Sequence, residues 1–442
     1  MTVTIQRGAL NGTMAVPGSK SDTIRAVLLA LLSEGRSVIR NPLASGDGLS
    51  AKRAAIALGA SITEEGNCWI VEGVGRNLRA PQTSLDLGNS GTATSFLSSI
   101  VTLAGKPVTL TGDEQIRRRP FKTLFDALGD LGAGVSVHNP NQVSPPVTIS
   151  GPLHGGPVTL QGFNSQFVSS LLLASPFAET PVTVTVRNGL EKPYVRLTLD
   201  WMKRFGIEVA NPSDYEYFEI PNTKTYRAGE VAVGGDWSAV AFPLVASALT
   251  PSELTITGLN FHDSQGDKRV VDILKAMGAD IVEDHREGTL SIRGGKPLSA
   301  LQEIDLADIP DALPALVVAA TQAHGTTTFT NISHVRVKET DRVFEMSERL
   351  NRLGCKLVAG ENELSVHGPT PIGGGTVSSA GDHRIAMAMV AAGLAAREEI
   401  TITETECVAV SFPNFFERFE ECGARIKKRH TEVHRREADC QN

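Results

Sequence analysis

Cysteine is scarce in this chain of 442 residues: five are present, at 68, 355, 407, 422 and 440, an odd number with no CxxC pair. That argues against a disulfide framework or a zinc site, and for a reducing, cytoplasmic setting. No HExxH occurs among the ten histidines, so no structural metal is expected. Long apolar runs are missing too. The longest, Ala26–Leu32 and Ala312–Thr321, fall short of the roughly 20 residues a membrane span needs, and Met1–Arg7 has no signal-peptide core. Positive charge is not in excess: 42 Lys and Arg stand against 49 Asp and Glu, a net charge of −7. A chain built to coat nucleic acid would be basic, so such a partner is not expected, although a local basic pocket for a small anion is not excluded. The apolar share of 41% rules out wholesale disorder, and the length suggests two to four domains or two large lobes.

What is present is a repeat. An amphipathic helix ends at a glycine, then come a strand, a polar turn and a second strand. The glycines are Gly59, Gly132, Gly206, Gly278, Gly354 and Gly423, spaced 69 to 76 residues apart. A residue just past a helix end takes the left-handed conformation, which costs glycine little. A period this long describes a subdomain with its own α/β core, not a solenoid repeat. Six copies make two lobes of three. Each copy also carries a nearly wholly apolar helix: 21–33, 92–103, 165–174, 238–249, 312–323 and 383–395. Helices apolar all round belong at the centre of a lobe. The fold class predicted is therefore α/β. The segment 1–17 with 236–442 forms one lobe, 18–235 forms the other, and the polar tail 427–442 is expected to be disordered.

The apolar helices begin at polar places. Gly18-Ser-Lys20-Ser21 opens the first, with Arg25 one turn on, and N–H groups at a helix start favour an anion. A phosphate-binding GxxxxGK[ST] loop does not fit the glycine spacing. Gly88-Asn-Ser-Gly91-Thr92 opens the second and leaves room for a ligand to approach the backbone. Arg117-Arg-Arg119 reads either as a solvated run or as a bidentate clamp on a carboxylate or phosphate. Asn164-Ser165-Gln166 opens the third. Asp311, near the fifth, is either a helix-start acid or a catalytic base. Arg336-Val-Lys338-Glu339-Thr-Asp341-Arg342 is either a surface salt-bridge cluster or part of a site, and Asp382-His383-Arg384 opens the sixth. Taken together, these starts predict helix ends facing one cleft around a polyanionic ligand, where gathered cations attract substrate and carboxylates move protons. A non-catalytic anion binder is the competing class of reading.

The chain resembles the enolpyruvyl transferase family, and within it the members acting on shikimate 3-phosphate. The motifs that carry this are Pro17–Ser21, Leu87–Thr92, Arg119-Pro120, Ser165-Gln166, Lys192–Tyr194, Ile309–Ala312, Arg336–Arg342, Asp382–Arg384 and Phe412-Pro413, spread over the chain to about Ile426. The resemblance implies two inside-out α/β barrel lobes of three units each, with buried parallel helices. It implies transfer of the enolpyruvyl group of phosphoenolpyruvate to an alcohol, with release of phosphate, through a tetrahedral intermediate. It assigns Lys20, Asp311 and Glu339 to catalysis. Lys20, Gly91, Arg119, Gln166, Arg342, His383 and Arg384 fall to phosphoenolpyruvate. Lys20, Ser21, Arg25, Asn164, Ser165, Gln166, Tyr194, Asp311, His334 and Lys338 fall to the acceptor. No cofactor and no metal are implied, and a monomer without nucleic-acid or membrane partners is expected.

The sequence departs from the family pattern at Ser95, where an arginine is frequent, at Asn164 in place of the first of two serines, and at His334 in place of an asparagine. Val410 replaces a lysine. Glu191 stands where a serine precedes Lys-Pro-Tyr, which puts a carboxylate where an acceptor phosphate is expected; either it turns away or it pairs with Arg196. A related transferase acting on a different alcohol is therefore the alternative.

Overall fold

The computed structural model describes residues 1–429 except Pro140 and Phe163, and the side chains of these except Pro212 and Ser213. The chain folds into two compact units. The first comprises Met1–Pro17, Gly235–Phe261 and Asp267 onward; the second comprises Gly18–Gly234 and His262–Gly266. The short stretch His262–Gly266 thus belongs with the second unit, not with the 236–442 segment that surrounds it in sequence. Each unit has its own apolar core.

Six sheets share one pairing pattern. Among the described residues, each has a parallel pairing followed by two antiparallel ones; in one sheet the parallel partner of Ser33–Arg40 is split into Tyr226–Arg227 and Glu230–Ala232. In the second unit, for example, Gly156–Gln161 runs parallel to Val182–Arg187, which pairs antiparallel with Tyr217–Ile220. The first unit repeats this, with Asn11–Ala15 parallel to Glu253–Thr257 and the latter antiparallel to Thr289–Arg293. Three sheets lie in each unit. The amphipathic helix of each repeat is followed by its glycine, and all six glycines have positive φ, from 85° at Gly206 to 117° at Gly59. A Cβ is strained there, so the glycine spacing reflects a backbone requirement.

The apolar helices are Lys20–Leu31, Gly91–Ile100 and Ser165–Ala174 in the second unit, and Trp237–Leu249, Leu313–Gln322 and His383–Ala395 in the first. They are buried on nearly every side; Trp237–Leu249 exposes only its last residue to any extent. Within the first unit the three pack against one another, and in the second Gly91–Ile100 packs against both others. Five of the six carry a side-chain cap. Ser19, Ser90, Asn164, Asp236 and Asp382 accept from N–H groups of the first turn. The sixth is entered through the 3-10 turn Pro310–Ala312. A capping residue holds the start of a buried helix in register and leaves the remaining N–H groups at its mouth.

The expected disordered tail begins too early. Ile426–Arg429 is a strand, paired antiparallel with Thr2–Ile5; the rest of the tail lies outside the described residues. No helix among the described residues is long and apolar enough to cross a membrane.

Candidate functional site

In the second unit, the helix Lys20–Leu31 places three predicted residues on its first two turns. Lys20 is buried, and its Nζ lies 3.5 Å from Asp47 Oδ2, also buried. Ser21 lends its carbonyl to Arg25 Nη1 at 2.9 Å. Arg25 is locked on its remaining sides: Nε donates to Thr198 Oγ1 at 2.8 Å, Nη2 donates to the Tyr194 carbonyl at 3.0 Å, and the guanidinium lies 4.9 Å from the Phe96 ring centroid. Burial pulls its pKa down to about 10, against the pull of Asp22. Asp22 itself is buried. It accepts from Trp201 Nε1 at 2.7 Å, and Gln265 Nε2 donates to both Asp263 (2.8 Å) and Asp22 (3.4 Å). Burial pushes Asp22 up to about 7, opposed by the Trp201 bond and reinforced by Asp263.

Of the three consecutive arginines, the first two are solvated. Arg117 reaches Thr111 Oγ1 and Arg118 pairs with Glu114. Arg119 turns inward, and its Nη2 donates to Asn89 Oδ1 at 2.9 Å. Beside it is Gly91, where an added Cβ would sit 2.4 Å from Arg119 Nη1 and 3.5 Å from Gln166 Oε1. Gln166 is oriented by two neighbours: its Nε2 donates to Thr92 Oγ1 at 3.1 Å, and Ser95 Oγ donates to its Oε1 at 3.3 Å. The frequent arginine is thus replaced by a serine that fixes Gln166. Asn164 acts as a cap, accepting from the Gln166 N–H at 3.0 Å. Ser165 donates its N–H and Oγ–H to Glu191 Oε2. Glu191 thus turns onto the start of this helix, while Arg196 is exposed.

In the first unit the predicted residues converge on one guanidinium. Arg342 is fully buried. Its Nε donates to Asp382 Oδ2 (2.8 Å), Nη1 to Asp311 Oδ1 (2.8 Å), and Nη2 to Glu339 Oε2 (2.6 Å) and Asp382 Oδ1 (3.3 Å). Four of its five N–H groups are used, and the fifth is on Nη1. Burial alone would lower its pKa, but the three carboxylates hold it above its ordinary value. Burial pushes Asp382 the opposite way, yet Arg342 keeps it below the usual carboxylate range. The Asp382 side chain has 0% exposure, while Glu339 has 13% and Asp311 20%. Asp382 is therefore an anchor, and the other two carboxylates face outward. Asp311 Oδ2 also lies 2.7 Å from Arg384 Nη2, which donates to Ser238 Oγ at 3.0 Å.

The charged run Arg336–Arg342 divides between the two roles open to it. Arg336 pairs with Asp341 at 2.7 Å, and Asp341 caps the helix Arg342–Arg352, so these two are structural. Glu339 and Arg342 belong to the cluster. Lys338 is half-buried, and His334 is buried on the turn Ser333–Val337. His383 is buried, with Nδ1 3.9 Å from Asp382. Sequence reasoning missed the partners that orient these groups, namely Asp47, Asn89, Ser238 and the anchoring role of Asp382. The only signal for Asp382 was its cap position.

Buried cations beside helix starts, with partly exposed carboxylates bonded to them, are an arrangement suited to binding small anions and moving protons on them. The model of the family described as EPSP synthase (3-phosphoshikimate 1-carboxyvinyltransferase) matches residues 5–419, and the chain belongs to that family. It is 38% identical to a 3-phosphoshikimate 1-carboxyvinyltransferase from Ruminiclostridium cellulolyticum over 427 residues, covering 97% of this chain and 100% of the relative. Among solved structures, an EPSP synthase from Acinetobacter baumannii superposes with a TM-score of 0.81 at 28% identity, covering 97% of this chain and 100% of that one. The enolpyruvyl transferase NikO from Streptomyces tendae shares the fold, with a TM-score of 0.78 at 19% identity over 96% of this chain and 98% of its own.

Proposed function

We propose that the protein transfers the enolpyruvyl group of phosphoenolpyruvate to the 5-hydroxyl of shikimate 3-phosphate, releasing phosphate, as a transferase of aromatic amino acid biosynthesis on the way to chorismate. The observation that carries this reading is Asp311 and Glu339, two partly exposed carboxylates bonded to the same buried Arg342 guanidinium. They supply the proton movements the reaction needs.

Protonation of C3 of phosphoenolpyruvate, by Glu339 or Lys20, makes C2 electrophilic. Asp311 takes the proton from the acceptor hydroxyl as its oxygen bonds to C2, giving the tetrahedral intermediate. A methyl proton then returns to the group that protonated C3, Glu339 or Lys20, as the C2–O bond to phosphate breaks, and the departing phosphate takes the proton held by Asp311. A positioned acid or base contributes about 10²–10⁴ in rate. Arg119, Arg342, Arg384 and Lys20, with Gln166, His383 and the Gly91 backbone, hold phosphoenolpyruvate. Arg342 offers a single open N–H, so it takes part as Asp311 or Glu339 yields a bond to the ligand. Ser21, Arg25, Asn164, Ser165, Tyr194, His334 and Lys338 serve the acceptor.

The reading includes an inside-out arrangement of each unit, apolar helices within and sheets without. It places the protein in the cytoplasm as a monomer, and the reaction uses no metal or organic cofactor. The test is phosphate release from phosphoenolpyruvate by the purified full chain, which should require shikimate 3-phosphate. Release with another alcohol and none with this acceptor would select a related transferase instead.

A further inference from the structure

Glu191 has an unusual setting for a carboxylate. It is 2% exposed and sits at φ 57°, in the left-handed region, at the start of the helix Lys192–Arg204, which its side chain does not cap. The side chain reaches the neighbouring buried helix instead, where Oε2 accepts from the Ser165 N–H at 3.2 Å and from Ser165 Oγ at 2.6 Å. A backbone N–H at a helix start and a hydroxyl beside it are donors suited to an anion. Here the anion comes from the chain itself. The strained backbone of Glu191 and its two bonds to Ser165 are separate observations that agree in directing the carboxylate onto this spot. Arg25 lies one element away: its Nη2 donates to the carbonyl of Tyr194, in the first turn of the helix that Glu191 precedes.

We propose that Glu191 is a specificity-determining residue: its carboxylate holds the Ser165 donors in competition with the acceptor's phosphate, so the phosphate adds little to acceptor affinity. The inference rests on the proposed function, in which Ser165 serves an acceptor bearing a phosphate. A phosphate entering this place meets a like charge and donors already taken, and both effects weaken its hold. The unphosphorylated part of the acceptor is unaffected by either.

The test compares equilibrium binding of shikimate 3-phosphate and of shikimate by calorimetry, for the wild-type full chain, Glu191→Gln and Glu191→Ser. A charged hydrogen bond regained corresponds to roughly tenfold or more in affinity. The preference for the phosphorylated ligand should therefore rise about tenfold or more in Glu191→Ser and by less in Glu191→Gln, which keeps an acceptor oxygen. KM for phosphoenolpyruvate should not follow. Unchanged preference in both variants, with only a lowered Tm, would reduce Glu191 to a structural tie to Ser165 and overturn the proposal. If neither variant folds, the wild type decides: a preference below about a hundredfold supports the competition, and a larger one overturns it. Turnover of shikimate 3-phosphate separates the two readings. Turnover with unchanged preference overturns this inference alone. Absence of turnover in the wild type overturns the proposed function and this inference with it.

Discussion

Arg342 and Asp382 form a two-point pair with no solvent access, Nε to Oδ2 at 2.8 Å and Nη2 to Oδ1 at 3.3 Å. Asp382 at the same time caps the helix His383–Ala395 through the Arg384 N–H at 2.9 Å. One carboxylate thus fixes both the arginine at the centre of the cluster and the start of the helix that carries His383 and Arg384. Removing it leaves a buried charge short of a partner. Asp382→Ala should destabilise the fold by about 3–5 kcal/mol, read as a fall in the midpoint of urea unfolding. A change within about 0.5 kcal/mol, the range of ordinary surface substitutions, would remove Asp382 from its anchoring role.

Glu339 and Asp311 should behave differently, because each bonds Arg342 but is partly exposed. Glu339→Gln and Asp311→Asn keep the shape and lose the proton-transfer group. Each should lower kcat by about 10²–10⁴ with far-UV circular dichroism unchanged. Wild-type turnover in either variant would take that residue out of the mechanism.

Gly91→Ala tests the close approach of Arg119. The new methyl carbon would lie 2.4 Å from Arg119 Nη1, so the guanidinium must shift while its Asn89 bond is strained. KM for phosphoenolpyruvate should rise about tenfold, in line with the loss of a charged hydrogen bond, and KM for the acceptor should follow less. Equal change in both would point to a general disturbance of the helix start.

Asp22 gives the pH dependence. Its folded-state pKa is raised from 3.8 to about 7, first by burial. Between those values the folded chain binds more protons here than the unfolded chain does. Stability from this group is therefore full below about pH 4 and is lost as pH rises towards 7, by about 1.4 kcal/mol per pH unit across that window. Asp22→Asn keeps a carbonyl oxygen for Trp201 and removes the titration. The unfolding free energy of the wild type should fall relative to that of the variant between pH 5 and 7. Parallel curves would show that Asp22 stays ionised when folded.

Much of this architecture was legible in the amino-acid order. The glycines from Gly59 to Gly423 mark a backbone conformation that few other residues adopt, so their spacing carried the six-part repeat without any knowledge of contacts. The apolar helices were legible because a wholly apolar stretch has nowhere to go but inside. The polar residues at their starts were harder. Ser19, Ser90 and Asn164 look the same whether they cap a helix or bind a ligand, and geometry shows that all three cap. Partners distant in sequence left no trace: nothing near Lys20 points to Asp47, and nothing near Arg342 distinguishes Asp382 as anchor from Asp311 as reactive acid. That distinction lies in burial, which the sequence does not print. The same holds for Lys427–Arg429, whose polar side chains hide a strand held by backbone bonds to Thr2–Ile5.

The most direct test of enolpyruvyl transfer follows an oxygen atom. Phosphoenolpyruvate labelled with 18O in the bridge between C2 and phosphorus is incubated with the full chain and shikimate 3-phosphate, and the products are read by mass spectrometry. Cleavage of the C2–O bond sends the label into inorganic phosphate and leaves a carboxyvinyl ether on the acceptor. Label retained in pyruvate, or phosphate released at the same rate without the acceptor, would contradict the account.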